Sequence, residues 1–421
     1  CIRSDGLREI VSVEGKMGSV IVVGGGPAGL MAAYCAASRG REVFLLEKNE
    51  KLGKKLYITG KGRCNLTNLT APSDFLENVV TNPKFAIGCI YRFSPEDTMC
   101  FFEEGGLKLK VERGSRVFPQ SDRASDVTKC LAGYCERAGV NVKLNTCVRK
   151  IEKREDFWYA DTDGGTYKGE SVVICTGGVS YPVTGSTGDG YEFARAFGHK
   201  IVPPQPSLVG ICVEGDDCGK MQGLSLKNVR LSAFYKEKRI FSEQGEMLFT
   251  HFGVSGPLVL TLSARINRLP VGEIRLEIDF KPALTREMLD ARLLRDFEAL
   301  RGRRLKNSLD MLLPRAVIPV LISRLGIGGS RSNSEITAAE RSRLVSLLKG
   351  FPLRPTALRP VEEAIVTAGG VDVSSVHPKT MESRLAPGLF FAGEVLDIDA
   401  LTGGFNIQMA LSTGFAAGTH A

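Results

Sequence analysis

The chain has 421 residues, 43% of them hydrophobic and 24% charged, and its formal net charge is +8. This length is enough for two or three domains, and the balance of apolar and charged residues excludes a disordered, collagen-like or coiled-coil protein. No uncharged run approaches the roughly 18–20 apolar residues of a membrane helix, so a spanning protein is also excluded.

Residues 1–16 carry scattered charges and no apolar signal core, so we expect an unstructured leader ahead of a start at Met17. The 11 cysteines include no Cys-x-x-Cys pair, which argues against a zinc ribbon; we predict no metal site and expect free thiols in the cytoplasm. Cys130 and Cys135 have the spacing of some flavin disulfide reductases, but buried thiols are the favoured interpretation.

The first predicted elements surround a glycine-rich turn. Residues 20–23 are a short apolar strand, residues 24–29 read GGGPAG, and an apolar helical pattern follows. Strand, turn and helix form the context of a dinucleotide fingerprint, in which the glycines permit the tight turn, the approach of a pyrophosphate and close helix packing. A tight turn without a ligand is the alternative. The predicted phosphate contacts are Gly24, Gly26, Pro27, Ala28 and Gly29.

A second apolar strand, residues 43–46, ends at an acidic residue. Glu47 follows Gly29 by 18 positions, where a carboxylate accepts hydrogen bonds from the hydroxyls of an unphosphorylated ribose. Lys48 comes directly after it and is also predicted to contact the cofactor.

Residues 51–68 are rich in Gly and Lys and are predicted to form a loop around a ligand. Its cations at 54, 55, 61 and 63 suit a pyrophosphate or an anionic flavin, although a solvated lysine run is an equally good interpretation for the lysines. For Arg63, Cys64 and Asn65 we favour a functional role.

The rest of the chain alternates between element types. A helix is predicted at 130–138, followed by strands at 140–144, 147–151, 158–161 and 166–167 that form a small meander. A buried strand at 171–174 leads into Thr176, Gly177 and Gly178, and a short helix ends at Phe197. The Pro-rich run 203–206 predicts a stiff boundary, 207–280 has an all-β pattern, and 285–348 has helical periodicity. A strand at 388–392, a loop at 393–404 and a helix at 405–418 close the chain.

Positive charge is concentrated in one segment. Residues 286–350 hold 13 Lys and Arg against 7 Asp and Glu. Solvated helix faces explain such an excess, and a docking face for nucleic acid or another polyanion is the alternative.

Five longer motifs carry a family resemblance. They are GRCNLTN at 62–68, GGVSYPVTGSTGDGY at 177–191, HFGVSGP at 251–257, HPKTMESR at 377–384 and GEVLDIDALTGGFNIQ at 393–408. With them the chain resembles flavoproteins of the glutathione-reductase-like FAD fold and, more narrowly, the BaiN-like family of NAD(P)/FAD-dependent oxidoreductases. Lys61 departs from the small residue that this resemblance leads us to expect.

The resemblance implies an α/β protein with bound FAD. Its Rossmann-like FAD-binding domain, a three-layer parallel sheet plus β meander at 17–200 and 365–421, is interrupted by a β-rich subdomain at 201–284 and a basic helical subdomain at 285–364. Glu47 would bind the adenosine ribose and the backbone near Val148 the adenine. The remaining contacts implied are Thr176, Gly177, Gly178, Gly393, Glu394, Asp399, Gly404, Phe405, Asn406 and Ile407. Free N–H groups at a helix start also suit the negative charge of reduced flavin.

The sequence holds one dinucleotide fingerprint, so NAD(P)H is expected only as a transient reductant in the cleft that later admits substrate. Four activities stay open: reduction of an unsaturated small molecule, uridine reduction to dihydrouridine in ribosomal RNA bound through residues 286–350, oxidation of a small amine, and a flavin-binding regulator without turnover. Reduction of a double bond needs a proton donor. The candidates are Cys64, Tyr181, His251 and His377. The oligomeric state is left open.

Overall fold

The computed structural model describes residues 17–421, so the predicted leader at 1–16 lies outside the described residues. The described chain forms two compact units: one runs up to Ser207 and resumes at Val361–Ala421, and the other is Leu208–Pro360. Between residues 17 and 421, none of the helices combines the length and apolar character needed to cross a bilayer.

The strands, numbered in chain order, are β1 Met17–Val23, β2 Arg41–Leu46, β3 Thr67–Asn68, β4 Leu109–Glu112, β5 Arg116–Pro119, β6 Asn141–Lys143, β7 Val148–Arg154, β8 Phe157–Thr162, β9 Gly165–Gly169, β10 Ser171–Ile174, β11 Ile201–Ser207, β12 Ile211–Val213, β13 Ser225–Tyr235, β14 Lys238–Thr250, β15 Gly253–Ser255, β16 Ile274–Asp279, β17 Phe351–Leu353, β18 Pro355–Leu358, β19 Val366–Val371 and β20 Leu389–Phe391.

The helices are α1 Pro27–Ser38, α2 Pro72–Leu76, α3 Pro83–Arg92, α4 Pro95–Glu104, α5 Ala124–Arg137, α6 Asp189–Ala196, α7 Asp217–Lys220, α8 Pro257–Ile266, α9 Arg286–Ala299, α10 Leu305–Ser308, α11 Val317–Leu325, α12 Ala338–Lys349 and α13 Phe405–His420.

The first unit is built on a parallel sheet with the order β20-β10-β1-β2-β6. Its central strands are almost wholly apolar because both faces of a parallel sheet are covered, and Val20, Ile21 and Val22 are fully buried. The predicted strands at 20–23, 43–46, 171–174 and 388–392 are confirmed, as are the helices that follow the first and the last of them. The Rossmann-like fold predicted for this part of the chain is therefore correct.

Two predictions in this unit need correction. Residues 140–144 were expected in the meander, but β6 pairs in parallel with β2; β7, β8 and β9 form the antiparallel meander. The predicted loop at 51–68 contains a 3-10 segment, Leu56–Gly62, and strand β3.

The boundary predicted at 203–206 lies directly before the observed division between the units, which falls after Ser207. Its prolines lie inside β11, which pairs with β19 through an irregularity between Val202 and Gln205. A two-stranded sheet tolerates them because a missing N–H there breaks no central ladder.

The second unit has a seven-stranded antiparallel sheet, ordered β17-β16-β13-β14-β15-β12-β18. The predicted all-β stretch also contains α8, which begins after Gly256 with Pro257 in its first turn. The helical periodicity at 285–348 is confirmed by α9 to α12. Leu276 of the sheet, Leu289 of α9 and Leu344 of α12 belong to one buried cluster, so the two inserted parts share a core within one compact unit.

Candidate dinucleotide-binding site

The turn between β1 and α1 has the shape that the fingerprint predicts. Gly24 has φ +105°, and a Cβ on it would lie 2.5 Å from the carbonyl oxygen of Cys175; a Cβ on Gly29 would lie 1.9 Å from the Gly24 oxygen. A Cβ on Gly26 would meet nothing within 4 Å, and α1 starts there with no side-chain cap. The turn therefore leaves open space in front of the free N–H groups of the helix, as an anionic diphosphate requires.

Glu47 lies beside this turn and is 7% exposed. Its Oε2 accepts a hydrogen bond from the Gly25 N–H at 2.7 Å, and its Oε1 accepts from the backbone and side-chain nitrogens of Asn49. The Glu47 carbonyl accepts from Thr146 N–H, two residues before Val148. The predicted ribose contact thus lies next to the diphosphate turn, and the chain just before Val148 is hydrogen-bonded to it.

Unsatisfied buried oxygens give an independent test of whether a dinucleotide fits here. Within the described residues, Asn65 Oδ1 and Thr176 Oγ1 are buried without a hydrogen-bond partner. Such groups are costly unless a ligand or water satisfies them, and Thr176 follows β10 next to Gly24. The Thr176 hydroxyl, at the edge of the turn, therefore fits a ligand that carries hydrogen-bonding groups, such as a dinucleotide.

Two predicted cations, Lys48 and Lys55, pair with protein carboxylates. Lys48 Nζ contacts Asp189 at 2.7 Å, and Lys55 Nζ contacts Glu394 at 2.7 Å and Ser180 at 2.6 Å. Glu394 Oε1 also accepts from the Thr367 N–H. These pairs join residues 141 and 339 positions apart. Sequence reasoning did not single out Ser180, although it lies in the motif at 177–191, or Thr367, which lies in none of the five motifs.

Arg63 pairs with Glu112 and Asp122 and stacks on the ring of Phe118. The pKa of the Glu112 carboxyl is lowered chiefly by its hydrogen bond from Arg63, and the pKa of Asp122 by its bonds from Lys110 and then Arg63. In this structure Arg63 fixes its loop against the β4–β5 hairpin. Its predicted contact with the cofactor stays a prediction.

Helix α13 runs alongside α1 and in the same direction. A Cβ on Gly414 would lie 2.4 Å from the Ala28 oxygen, and one on Gly418 would lie 2.2 Å from the Ala32 oxygen. Because Gly414 comes nine residues after Phe405, the start of α13 extends about 12 Å beyond the start of α1, at about 1.5 Å per residue. Gly404 precedes it with φ +99°, and no side chain caps it. The unit thus offers a second uncapped helix start, where the resemblance places the flavin ring.

Two polar residues near α13 are bound within the protein. Asp399 is 1% exposed and accepts a hydrogen bond from Ser207 at 2.6 Å. The Asn406 side chain bonds to backbone atoms of Ala400 and Leu401, so it closes the loop before the helix. The backbone N–H groups of Phe405, Asn406 and Ile407 remain the predicted flavin contacts, whereas the side-chain amide of Asn406 is already engaged.

The four candidate proton donors have different surroundings. Cys64 is fully buried, and burial raises the pKa of its thiol to about 12. Tyr181 is half-buried with φ +51°, and His377 is half-buried in a turn in which its N–H donates to the Glu382 oxygen. His251 is exposed in the second unit, against the edge of Phe252. Cys64, Tyr181 and His377 lie in the unit that carries the dinucleotide turn.

Two further groups bear on the predictions. Burial raises the pKa of Cys130 to about 11 and that of Cys135 to about 12, and both are free thiols, which supports the buried-thiol interpretation. His199, which sequence reasoning did not single out, is buried between Ser375 and Ser383, with each ring nitrogen 2.8 Å from a hydroxyl. Burial lowers the pKa of the His199 imidazole, and the two hydroxyl contacts make the ring a link between two segments.

Comparison with known proteins agrees with this geometry. The family described as HI0933-like protein Rossmann domain matches residues 18–420. The chain is 31% identical over 409 residues to a 3-dehydro-bile acid delta(4,6)-reductase of Clostridium scindens, covering 96% of this chain and 99% of that protein. It is also 31% identical over 405 residues to a ribosomal RNA dihydrouridine synthase of Escherichia coli, covering 94% and 96%. A 3-ketosteroid-delta4-(5alpha)-dehydrogenase from Rhodococcus jostii shares the fold, with a TM-score of 0.51 at 16% identity over 98% of each chain.

Proposed function

The chain belongs to the HI0933-like family and is an oxidoreductase with a Rossmann-like FAD-binding domain, and from this premise we propose that it uses NAD(P)H to reduce an unsaturated acceptor. The observation that carries the proposal is the pairing of an open diphosphate turn at Gly26 with the buried carboxylate of Glu47. Similarity to a reductase of an unsaturated steroid acid over nearly the whole chain supports the reaction class.

The chain's own groups would bind and orient the cofactor. The N–H groups at the start of α1 would hold the diphosphate, Glu47 would accept from the ribose, and the N–H groups at the start of α13 would bind the pyrimidine end of the ring. When bound, FAD supplies hydride transfer, which amino acid side chains cannot perform. The protein must add the proton. Cys64 is the least suited of the four candidates, because its thiol is inaccessible to a substrate.

The first experiment measures whether and how the protein binds FAD. We expect a yellow protein that releases FAD on heating. Glu47→Ala should weaken FAD affinity by about 1–3 kcal/mol, because a charged hydrogen-bond acceptor is lost. Glu50→Ala is the matched control, since Glu50 is an exposed acid three positions away and should leave the affinity unchanged. A colourless protein that takes up no added FAD would defeat the proposal.

A second experiment separates the reaction classes. Under anaerobic conditions, NADH or NADPH should bleach the flavin, and an unsaturated acceptor should restore its colour. With one dinucleotide fingerprint, reductant and acceptor should use the same cleft in turn and give ping-pong kinetics. Bleaching by a small amine alone, followed by rapid reoxidation in air, would indicate an oxidase instead.

The second candidate function is uridine reduction in ribosomal RNA. One observation favours it besides the relative from Escherichia coli. Arg301, Arg303 and Arg304 are exposed in the turn before α10, and Lys306 is exposed on α10 itself. The buried side-chain amide of Asn333 fixes this turn through Leu300 and Gly302. Cations on a turn whose backbone is already fixed suit a phosphate backbone, because binding costs little backbone freedom.

A further inference from the structure

A fully buried polar network holds the first turn of α13. Thr67 Oγ1 donates a hydrogen bond to Gln408 Oε1 at 2.5 Å. Gln408 Nε2 donates to Ser412 Oγ at 3.0 Å and to the Phe93 carbonyl at 3.1 Å, and Ser412 Oγ donates to the same carbonyl at 2.7 Å. Thr67, Gln408 and Ser412 are all 0% exposed. The network joins the helix to strand β3 and to the residue that ends α3.

The Gln408 amide has both of its N–H groups and its oxygen engaged, so the network is satisfied around it. Removing one partner leaves a buried polar group without a hydrogen bond, and the desolvation of that group is then uncompensated. A satisfied buried network therefore favours one arrangement of the elements that it connects. Here those elements are α13, β3 and the end of α3.

Strand β3 also holds the two residues before the helix. Asn68 Nδ2 donates to the Gly403 carbonyl at 3.1 Å. A Cβ on Gly404 would lie 2.4 Å from the Thr67 oxygen, and Gly403 and Gly404 have φ values of +129° and +99°. Only glycine allows this approach and this backbone conformation. Thr67 and Asn68, two consecutive residues of β3, thus contact the chain on both sides of Gly404, and the Phe93 carbonyl adds a further contact to α13.

We propose that Thr67 and Gln408 are positioning residues that set the reduction potential of the bound flavin through the start of α13. The network fixes where the N–H groups of Phe405, Asn406 and Ile407 point, and donors fixed in advance stabilise developing negative charge best. Reduced flavin carries that charge at its pyrimidine end. The inference rests on the proposed function, because these N–H groups affect the potential only when the flavin lies at the start of α13.

The test measures the flavin midpoint potential of the full-length holoprotein against a reference dye. Thr67→Val removes the hydroxyl that holds the Gln408 oxygen, and Gln408→Met removes the amide at similar length. Each should shift the oxidised-to-reduced equilibrium about tenfold toward oxidised flavin, which is about 30 mV for a two-electron couple. Thr67→Ser keeps the hydroxyl and should retain the wild-type potential. The double variant should shift no further than either single one.

Leu411→Ala is the control for general destabilisation. Leu411 is fully buried in the same helix and makes no bond to the network, so its truncation should lower the melting temperature and leave the potential unchanged. The inference is overturned if Thr67→Val and Gln408→Met bind flavin with the wild-type potential, or if Leu411→Ala shifts it equally. A wild-type protein that binds no flavin would instead refute the proposed function, and this inference with it.

Discussion

Lys61 has a left-handed backbone conformation with φ +58°, directly after Gly60 with φ +55°. This conformation costs an L-residue about 1–2 kcal/mol, whereas glycine adopts it freely. The family resemblance leads us to expect a small residue at this position, and the backbone now supplies the physical reason. The side chain of Lys61 is exposed, so packing does not offset the cost.

We predict that Lys61→Gly stabilises the protein by about 0.5–1 kcal/mol, the relief of backbone strain less the greater freedom of glycine in the unfolded chain. Urea unfolding of both proteins under the same flavin loading measures the difference. Lys61→Ala removes the same charge and keeps the strain, so it should match the wild type within a few tenths of a kcal/mol. Equal stability of the Gly and Ala variants would show that the backbone at 61 is not strained.

At the scale of elements, the sequence predicts those strands and helix starts that depend on a short stretch of neighbouring residues. The strands β1, β2, β10 and β20 are short apolar runs buried on both faces, and the helix starts at Pro27 and Phe405 follow glycine-rich turns, so all could be identified from the sequence. The three-residue strand β6 shows no periodicity, and its place beside β2 is set by tertiary packing.

In the candidate site, too, the sequence predicts local features but not those that depend on tertiary packing. The diphosphate turn is encoded within six residues, and the sequence predicts it. The Lys55–Glu394 pair joins residues 339 positions apart, and the burial of Cys64 depends on elements that fold over it. No pattern along the chain reports either feature, because both arise only when distant segments pack together.

We predict that the basic turn before α10 is the surface that binds ribosomal RNA. Arg301→Glu, Arg303→Glu and Arg304→Glu together should abolish binding of ribosomal RNA and leave bound FAD and reduction of a small acceptor intact. In the wild type, the logarithm of RNA affinity should fall with the logarithm of salt concentration by roughly 0.7–0.9 per phosphate neutralised. Titration of labelled ribosomal RNA at several salt concentrations measures both effects.

The matched control reverses Lys236, Lys238 and Arg239, three exposed cations around the β13–β14 turn, and so makes the same change in net charge elsewhere in the second unit. Equal loss of RNA binding in this control would indicate nonspecific attraction. If the variant with Glu at 301, 303 and 304 binds RNA like the wild type, the basic turn is not the RNA-binding surface. That result would favour reduction of a small molecule.

At the scale of the whole molecule, buried thiols make the free energy of unfolding depend on pH. Burial raises the pKa of four cysteines to about 12, namely Cys64, Cys89, Cys135 and Cys218. In the unfolded chain a thiol titrates near about 8.5. Because the folded pKa is the higher one, the stabilisation is complete below about pH 8.5 and is lost as pH rises toward 12.

The free energy of unfolding should therefore fall steeply above about pH 9, with each such thiol contributing about 1.4 kcal/mol per pH unit. Urea unfolding between pH 7.5 and 10.5 in the presence of a reductant measures this slope. Cys89→Ala should reduce the slope by the contribution of one buried thiol, about 1.4 kcal/mol per pH unit. Cys100→Ala, which removes an exposed thiol, should leave the slope unchanged. If the Cys89 and Cys100 variants have equal slopes above pH 9, burial of the Cys89 thiol is not what links stability to pH, and the alkaline loss must come from other groups such as Tyr134, whose pKa is raised by burial to about 12.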